Sequence, residues 1–289
     1  MRISRLGLIL GALLLAYPVQ AADIAWVSFH PTDLASMAAA DAGFTAAPDI
    51  GYTDLLAANG HNVTRFQTHE PLTSDDLNQL NSSHLVIISR SVNSSHYEPP
   101  QAWTTEVTAP VMIMGGYLLR ANRMNFTDGN TIPDTVGPTR LVANDPSHPV
   151  FAGISLDAAN EMTNTFNDVV PDQRGTSINM ANLVGGSLIA SITDDGTDTA
   201  NGPVIAEWDA GAVLNNGDVL AGRRMIFLSG SREADGVTSE TAGIIDLSAD
   251  GSQMFLNAVS HMAIPEPSTA ILALVGIAGV ALVCRNRKR

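Results

Sequence analysis

The chain has 289 residues, with 15 basic and 29 acidic side chains, one cysteine and a formal net charge of −14. Six of the basic residues and one of the acidic ones lie in the two ends, so residues 22–264 carry 9 basic against 28 acidic side chains, a balance near −19 with no lysine. A field of that sign repels nucleic acid and anionic membrane, and a body without cysteine has no disulfide, thiol nucleophile, CxxC redox pair or thiolate metal site.

At the N-terminus, Arg2 and Arg5 precede an apolar run over 6–16, which breaks at Tyr17-Pro18 and reaches small residues at Val19 and Ala21. That layout predicts a secretory signal peptide over 1–21, cut by signal peptidase after Ala21, because the run is too short for a mature span. The body then occupies 22–263.

Compact apolar runs predict strands over 24–29, 62–66, 85–89 and 111–114. Between them lie a helix over 50–59 closed by Gly60 and another over 75–80, opened by Thr73 with Asp76 as a variant capping box. Crossovers of this length suit parallel pairing, so the expected fold is a three-layer α/β core with a mostly parallel sheet. After Gly116 the chain turns Pro-, Asn- and Asp-rich, with 145–154 as a fixed connection between elements. The runs 187–192 and 203–208 flank an Asp/Gly-rich loop and predict an antiparallel hairpin; 224–229 is a further strand and 249–262 a closing helix.

Beyond the body come Pro265-Glu266-Pro267, an apolar segment over 270–284 and the basic end Arg285-Asn286-Arg287-Lys288-Arg289. About fifteen apolar residues fall short of the roughly twenty of an ordinary span, which suits a thin C-terminal hydrophobic helix serving as a transient or retained membrane anchor. The two prolines keep the junction extended, and the basic end belongs on the cytoplasmic side, with the body outside.

These three features in this order resemble the PEP-CTERM sorting signal of bacteria that make extracellular polysaccharide. The resemblance implies export across the inner membrane, handling of 264–289 by an exosortase-type membrane enzyme, and residence in the cell envelope or extracellular matrix, with extracellular polysaccharide as an expected partner. Within the body, His148-Pro149-Val150, Ala206-Glu207-Trp208, the 224–229 strand and the closing helix recur in an order similar to class I glutamine amidotransferase-like domains of flavodoxin-like fold. That family's active members carry a cysteine nucleophile on the turn after a central strand. Here the turn reads Gly115-Gly116-Tyr117, so that chemistry does not transfer.

Ligands of a parallel α/β sheet bind beyond the carboxyl ends of its strands. The candidate cleft is therefore His30, Arg90, Gly116, Tyr117, Arg232 and Glu233, whose arginine forks suit an acidic sugar, a carboxylate or a phosphate. Ser231 lacks the second glycine of a nucleophile elbow, and His84 and His96 lack zinc-ligand spacing, so neither a catalytic residue nor a metal centre is assigned. Asp194, Asp195 and Asp198 are a calcium candidate without the alternating ligands of an EF-hand, and no other cofactor is expected. The sequence favours a non-catalytic binding or structural body over an extracellular carbohydrate-active or ester hydrolase working with the strand-end residues.

Overall fold

The computed structural model describes residues 21–98, 102–136, 139–162, 165–167, 174–233 and 236–263. In chain order the elements are β1 (Asp23–Ser28), α1 (Met37–Asp41), α2 (Ile50–Ala58), β2 (Asn62–Gln67), α3 (Ser74–Asn81), β3 (Leu85–Ile88) and β4 (Val111–Ile113). Then follow β5 (Asp134–Val136), β6 (Leu141–Ala143), β7 (Glu161–Met162), β8 (Arg174–Ser177), β9 (Ser187–Ile192), β10 (Pro203–Trp208), β11 (Arg224–Phe227) and α4 (Ala249–Ala263). The signal peptide and the expected hydrophobic helix of the tail lie outside the described residues. Among the described residues, no helix is long and apolar enough to cross a membrane.

One nine-stranded sheet runs in the order β2-β1-β3-β4-β11-β10-β9-β6-β7. The first five strands are parallel and the last four pair antiparallel, so the expected hairpin of β9 and β10 is the centre of a larger wing. In the parallel half the order 2-1-3-4-11 is flavodoxin-like: the chain leaves β1 for β2, then crosses back over β1 to β3, which creates a switch point between β1 and β3. Inner strands read as unbroken apolar runs because both faces are covered; all four residues of β3 and all three of β4 are buried.

Aromatic side chains mark the two covering layers. On one face Trp26 of β1 stacks on Tyr52 of α2 at 5.9 Å, and Phe255 of α4 meets both Tyr52 and Phe227 of β11. On the other, Phe66 of β2 packs edge-on against Trp103, which touches Tyr97. The expected helix over 50–59 is α2, with Gly60 at a φ of 86° just beyond its end, and α3 carries the full capping box, with Thr73 and Asp76 bonding each other's backbone N–H. Arg224 is wholly buried, its guanidinium donating to the carbonyls of Trp103, Val107 and Ala109 at 3.0, 2.6 and 3.2 Å. Burial pushes its pKa down to about 10, and the carbonyl dipoles stand in for a carboxylate while tying the 102–109 crossover to the sheet.

Candidate ligand site

Three strand exits converge at the carboxyl edge of the parallel half. Arg90, Val92, Asn93 and Ser94 follow β3, Tyr117 and Leu118 follow β4, and Arg232 and Glu233 follow β11; with Ser239 they line a cavity of about 150 Å³. Tyr117 is its hub. The guanidinium carbons of Arg90, Arg120 and Arg232 stand 5.3, 5.2 and 5.5 Å from the centre of its ring, all within cation–π range.

Like charges crowd together only where something offsets them, and here the offset is incomplete. Arg90 Nη2 donates to Glu233 Oε2 at 2.8 Å, and Arg232 pairs with Asp134 while its Nε lies 3.8 Å from Glu233 Oε1. Arg120 donates to the Tyr117 carbonyl and to Ser94 Oγ, both at 2.9 Å, but pairs with no carboxylate among the described residues. Burial, with the nearby charge of Arg123, lowers its pKa. The Nε groups of Arg90 and Arg232 are buried donors without a hydrogen-bond partner among the described residues. Three guanidiniums against two carboxylates leave one positive charge and spare donors, a deficit that an anion would fill.

Of the six expected cleft residues, Arg90, Tyr117, Arg232 and Glu233 line this cavity, and His30 and Gly116 do not. His30 is buried, its Nε2 2.9 Å from the Glu240 carbonyl and its backbone N–H bonded to Ser28 Oγ, so its ring is turned under the loop that carries Glu240. Gly116 is a packing residue: a Cβ there would sit 2.2 Å from the Ser177 carbonyl oxygen, and only its absence lets β8 close against the β4 exit. Arg120 does not line the cavity but borders it through the Tyr117 ring and Ser94, and it was not expected because it lies past a 3-10 turn (Gly116–Leu119) and not at a strand end. Its one signal is a spacing of three from Tyr117.

A second charged cluster lies elsewhere, beside α4. Glu207 Oε2 is 3.0 Å from His261 Nε2 and 3.4 Å from Arg223 Nη2, and Glu207 Oε1 is 3.5 Å from His148 Nε2. The contacts of His148, then of His261, hold the Glu207 carboxyl well below the usual carboxylate range. Among the described residues, His148, Glu207 and His261 are the group of three such side chains close enough to hold a metal ion. His148 Nδ1 accepts the Val150 N–H, which leaves the ring proton on Nε2, and Arg223 Nη2 lies 2.8 Å from His261 Nε2, where a cation would sit. The cluster works as a clamp between β10, the 145–154 connection and the last turn of α4. Asp194, Asp195 and Asp198 are not gathered in this way, and Asp195 is turned onto Thr197.

Fold and edge together define an α/β protein with a flavodoxin-like parallel half and an arginine-rich carboxyl edge. Residues 263–288 match the PEP-CTERM protein-sorting motif, which marks an exported protein whose C-terminus is sorted by an exosortase, a membrane enzyme. No curated protein matches the chain by sequence. Among solved structures it is similar to a cytoplasmic protein from Salmonella typhimurium, at 12% identity over 83% of this chain and 98% of that one, with a TM-score of 0.47. It is also similar to a GMP synthase-type protein from Thermoplasma acidophilum (8% identity, 84% and 95% covered, TM-score 0.45). A ThuA-like protein from Bacteroides uniformis stands at 8% identity, 86% and 92% covered, with a TM-score of 0.45.

Proposed function

We propose that the body is a non-catalytic binding module of the cell envelope or extracellular matrix, and that its ligand is an anionic group held at the Tyr117 arginine cluster. Signal peptidase releases the N-terminus after Ala21, and the sorting tail delivers the body to a surface where extracellular polysaccharide is the partner at hand. One observation carries the reading: three of the nine arginines of a body near −19 surround one tyrosine at the carboxyl edge, with one of them left without a carboxylate among the described residues. Three guanidiniums held together and partly buried repel one another and lose hydration, a cost that a bound anion would offset.

The test is the melting temperature of the native protein at fixed ionic strength with glucuronate, galacturonate, phosphate or sulfate, and with glucose as the neutral control. A ligand at about ten times its Kd adds about 1.4 kcal/mol to stability, so Tm rises with at least one anion and stays put with glucose. Equal response to glucose and to every anion sinks the reading.

A further inference from the structure

The cavity offers more than positive charge, and the extra feature narrows the ligand. Glu233 is 13% exposed and binds Arg90 through Oε2 alone. Its Oε1 faces Arg232 Nε at 3.8 Å, beyond hydrogen-bond range, and accepts no hydrogen bond among the described residues. An acceptor with open lone pairs therefore stands beside two buried donors with none of their own, Arg90 Nε and Arg232 Nε. Asn93, Ser94 and Ser239 complete the wall with short neutral groups that donate and accept.

Resting on the anion reading above, we infer that Glu233 selects the ligand: the site takes a hydroxylated carboxylate, a sugar acid, whose carboxylate meets the arginines and whose hydroxyl donates to Glu233 Oε1. Each alternative anion leaves one partner unmet. Sulfate has no hydroxyl to donate and brings two negative charges against the Glu233 carboxylate. A bare carboxylate satisfies the arginines but leaves Oε1 without a donor. Sites built to hydrogen-bond a hydroxyl reject analogues that lack it, because the buried group is then left unpaired. At about 150 Å³ the cavity is smaller than the ~300 Å³ of a drug-sized pocket, which suits one sugar unit rather than a length of polymer.

The experiment is calorimetric titration of the native protein with glucuronate, cyclohexanecarboxylate and sulfate at one ionic strength, repeated on Glu233→Gln after its melting temperature has been compared with the parent. The unaltered protein is expected to bind glucuronate about tenfold more tightly than either competitor, a difference of about 1.4 kcal/mol. In Glu233→Gln that preference collapses, with glucuronate weakened about tenfold and sulfate unchanged or tighter. If Glu233→Gln tightens all three anions alike, Glu233 is a competing counter-ion and the inference is overturned while the anion site stands. If the unaltered protein binds sulfate or cyclohexanecarboxylate as well as glucuronate, the hydroxyl has no role and the inference fails without reference to any variant. Binding of none of the three overturns the anion reading itself, and this inference with it.

Discussion

The Tyr117 cluster and the Glu207 cluster both set basic side chains against carboxylates and differ in the balance between the two. Around Glu207 one carboxylate is met by two histidines and an arginine, each from a separate part of the chain, and the group holds α4 against the sheet, with His148 Nε2 at 3.5 Å and making no hydrogen bond among the described residues. Around Tyr117 three arginines share one ring and two carboxylates, and buried N–H groups are left over. The charge balance differs: at Glu207 the basic groups gather on one carboxylate, whereas at the strand edge three guanidiniums exceed the two carboxylates beside them, an excess that an anion would offset. Stability and binding should therefore separate cleanly between the two clusters.

The largest effect on stability is expected from Glu207→Ala, which strands His148, His261 and Arg223 together. Discounted for a side chain that is 25% exposed, the loss is about 3 kcal/mol, read as a lower Tm at neutral pH with anion binding retained. The sign with pH follows from a depressed folded pKa: the contribution is present above the ordinary carboxylate value of 4.5 and is lost as pH falls below it. Parent and variant should converge in acid. A variant as stable as the parent at pH 7 would mean that the clamp holds nothing.

The buried Asp246 sharpens the contrast by running the other way. Its Oδ1 accepts from Tyr52 Oη at 2.7 Å and from the Gly230 N–H at 2.9 Å, beneath the β11 exit. Full burial pushes its pKa up to about 6 from 3.8. The folded state therefore favours the protonated acid, and the stability it gives is lost as pH rises from 3.8 through about 6. Asp246→Asn keeps the Oδ1 acceptor and removes the charge, so it should gain about 2 kcal/mol at pH 7.5 and nothing at pH 3.8. Thermal melts at the two pH values check it, and a lower Tm at pH 7.5 would refute it.

Much of the parallel half was legible in the sequence because strands covered on both faces must be apolar at every position: 85–89 and 111–114 contain β3 and β4. By contrast β5 to β8 have two to four residues each, in a stretch rich in Pro, Asn and Asp, and no period can show in so few positions; their partners, not their composition, make them strands. Arg90, Tyr117, Arg232 and Glu233 line one cavity because a parallel sheet brings its carboxyl ends together whatever the loops do. His30 follows β1 but is turned under the Glu240 loop, and the place of Arg120 depends on the 3-10 turn that contains Tyr117, neither of which a strand-end rule can read. The Glu207 clamp joins a loop, a strand and a helix far apart in sequence, and nothing local announces it.

The smallest expected change in stability is the most informative about the site. Arg120 is half-buried and gives two hydrogen bonds, one to its own turn at the Tyr117 carbonyl and one to Ser94. Replacing it by Gln removes a cation that makes no ion pair among the described residues, so the lost hydrogen bonds and the lost attraction of Glu98 are set against the relief of burial and of repulsion from Arg123. Arg120→Gln should therefore melt within ~0.5 kcal/mol of the parent while losing most of the glucuronate-dependent rise in Tm. Ionic strength supplies the control: raising salt weakens the ligand response of the parent but adds little to a variant whose charge is already gone. A variant that melts as low as Glu207→Ala would make Arg120 a structural cation like Arg224, and the underfilled cluster would then be part of the fold's own scaffold.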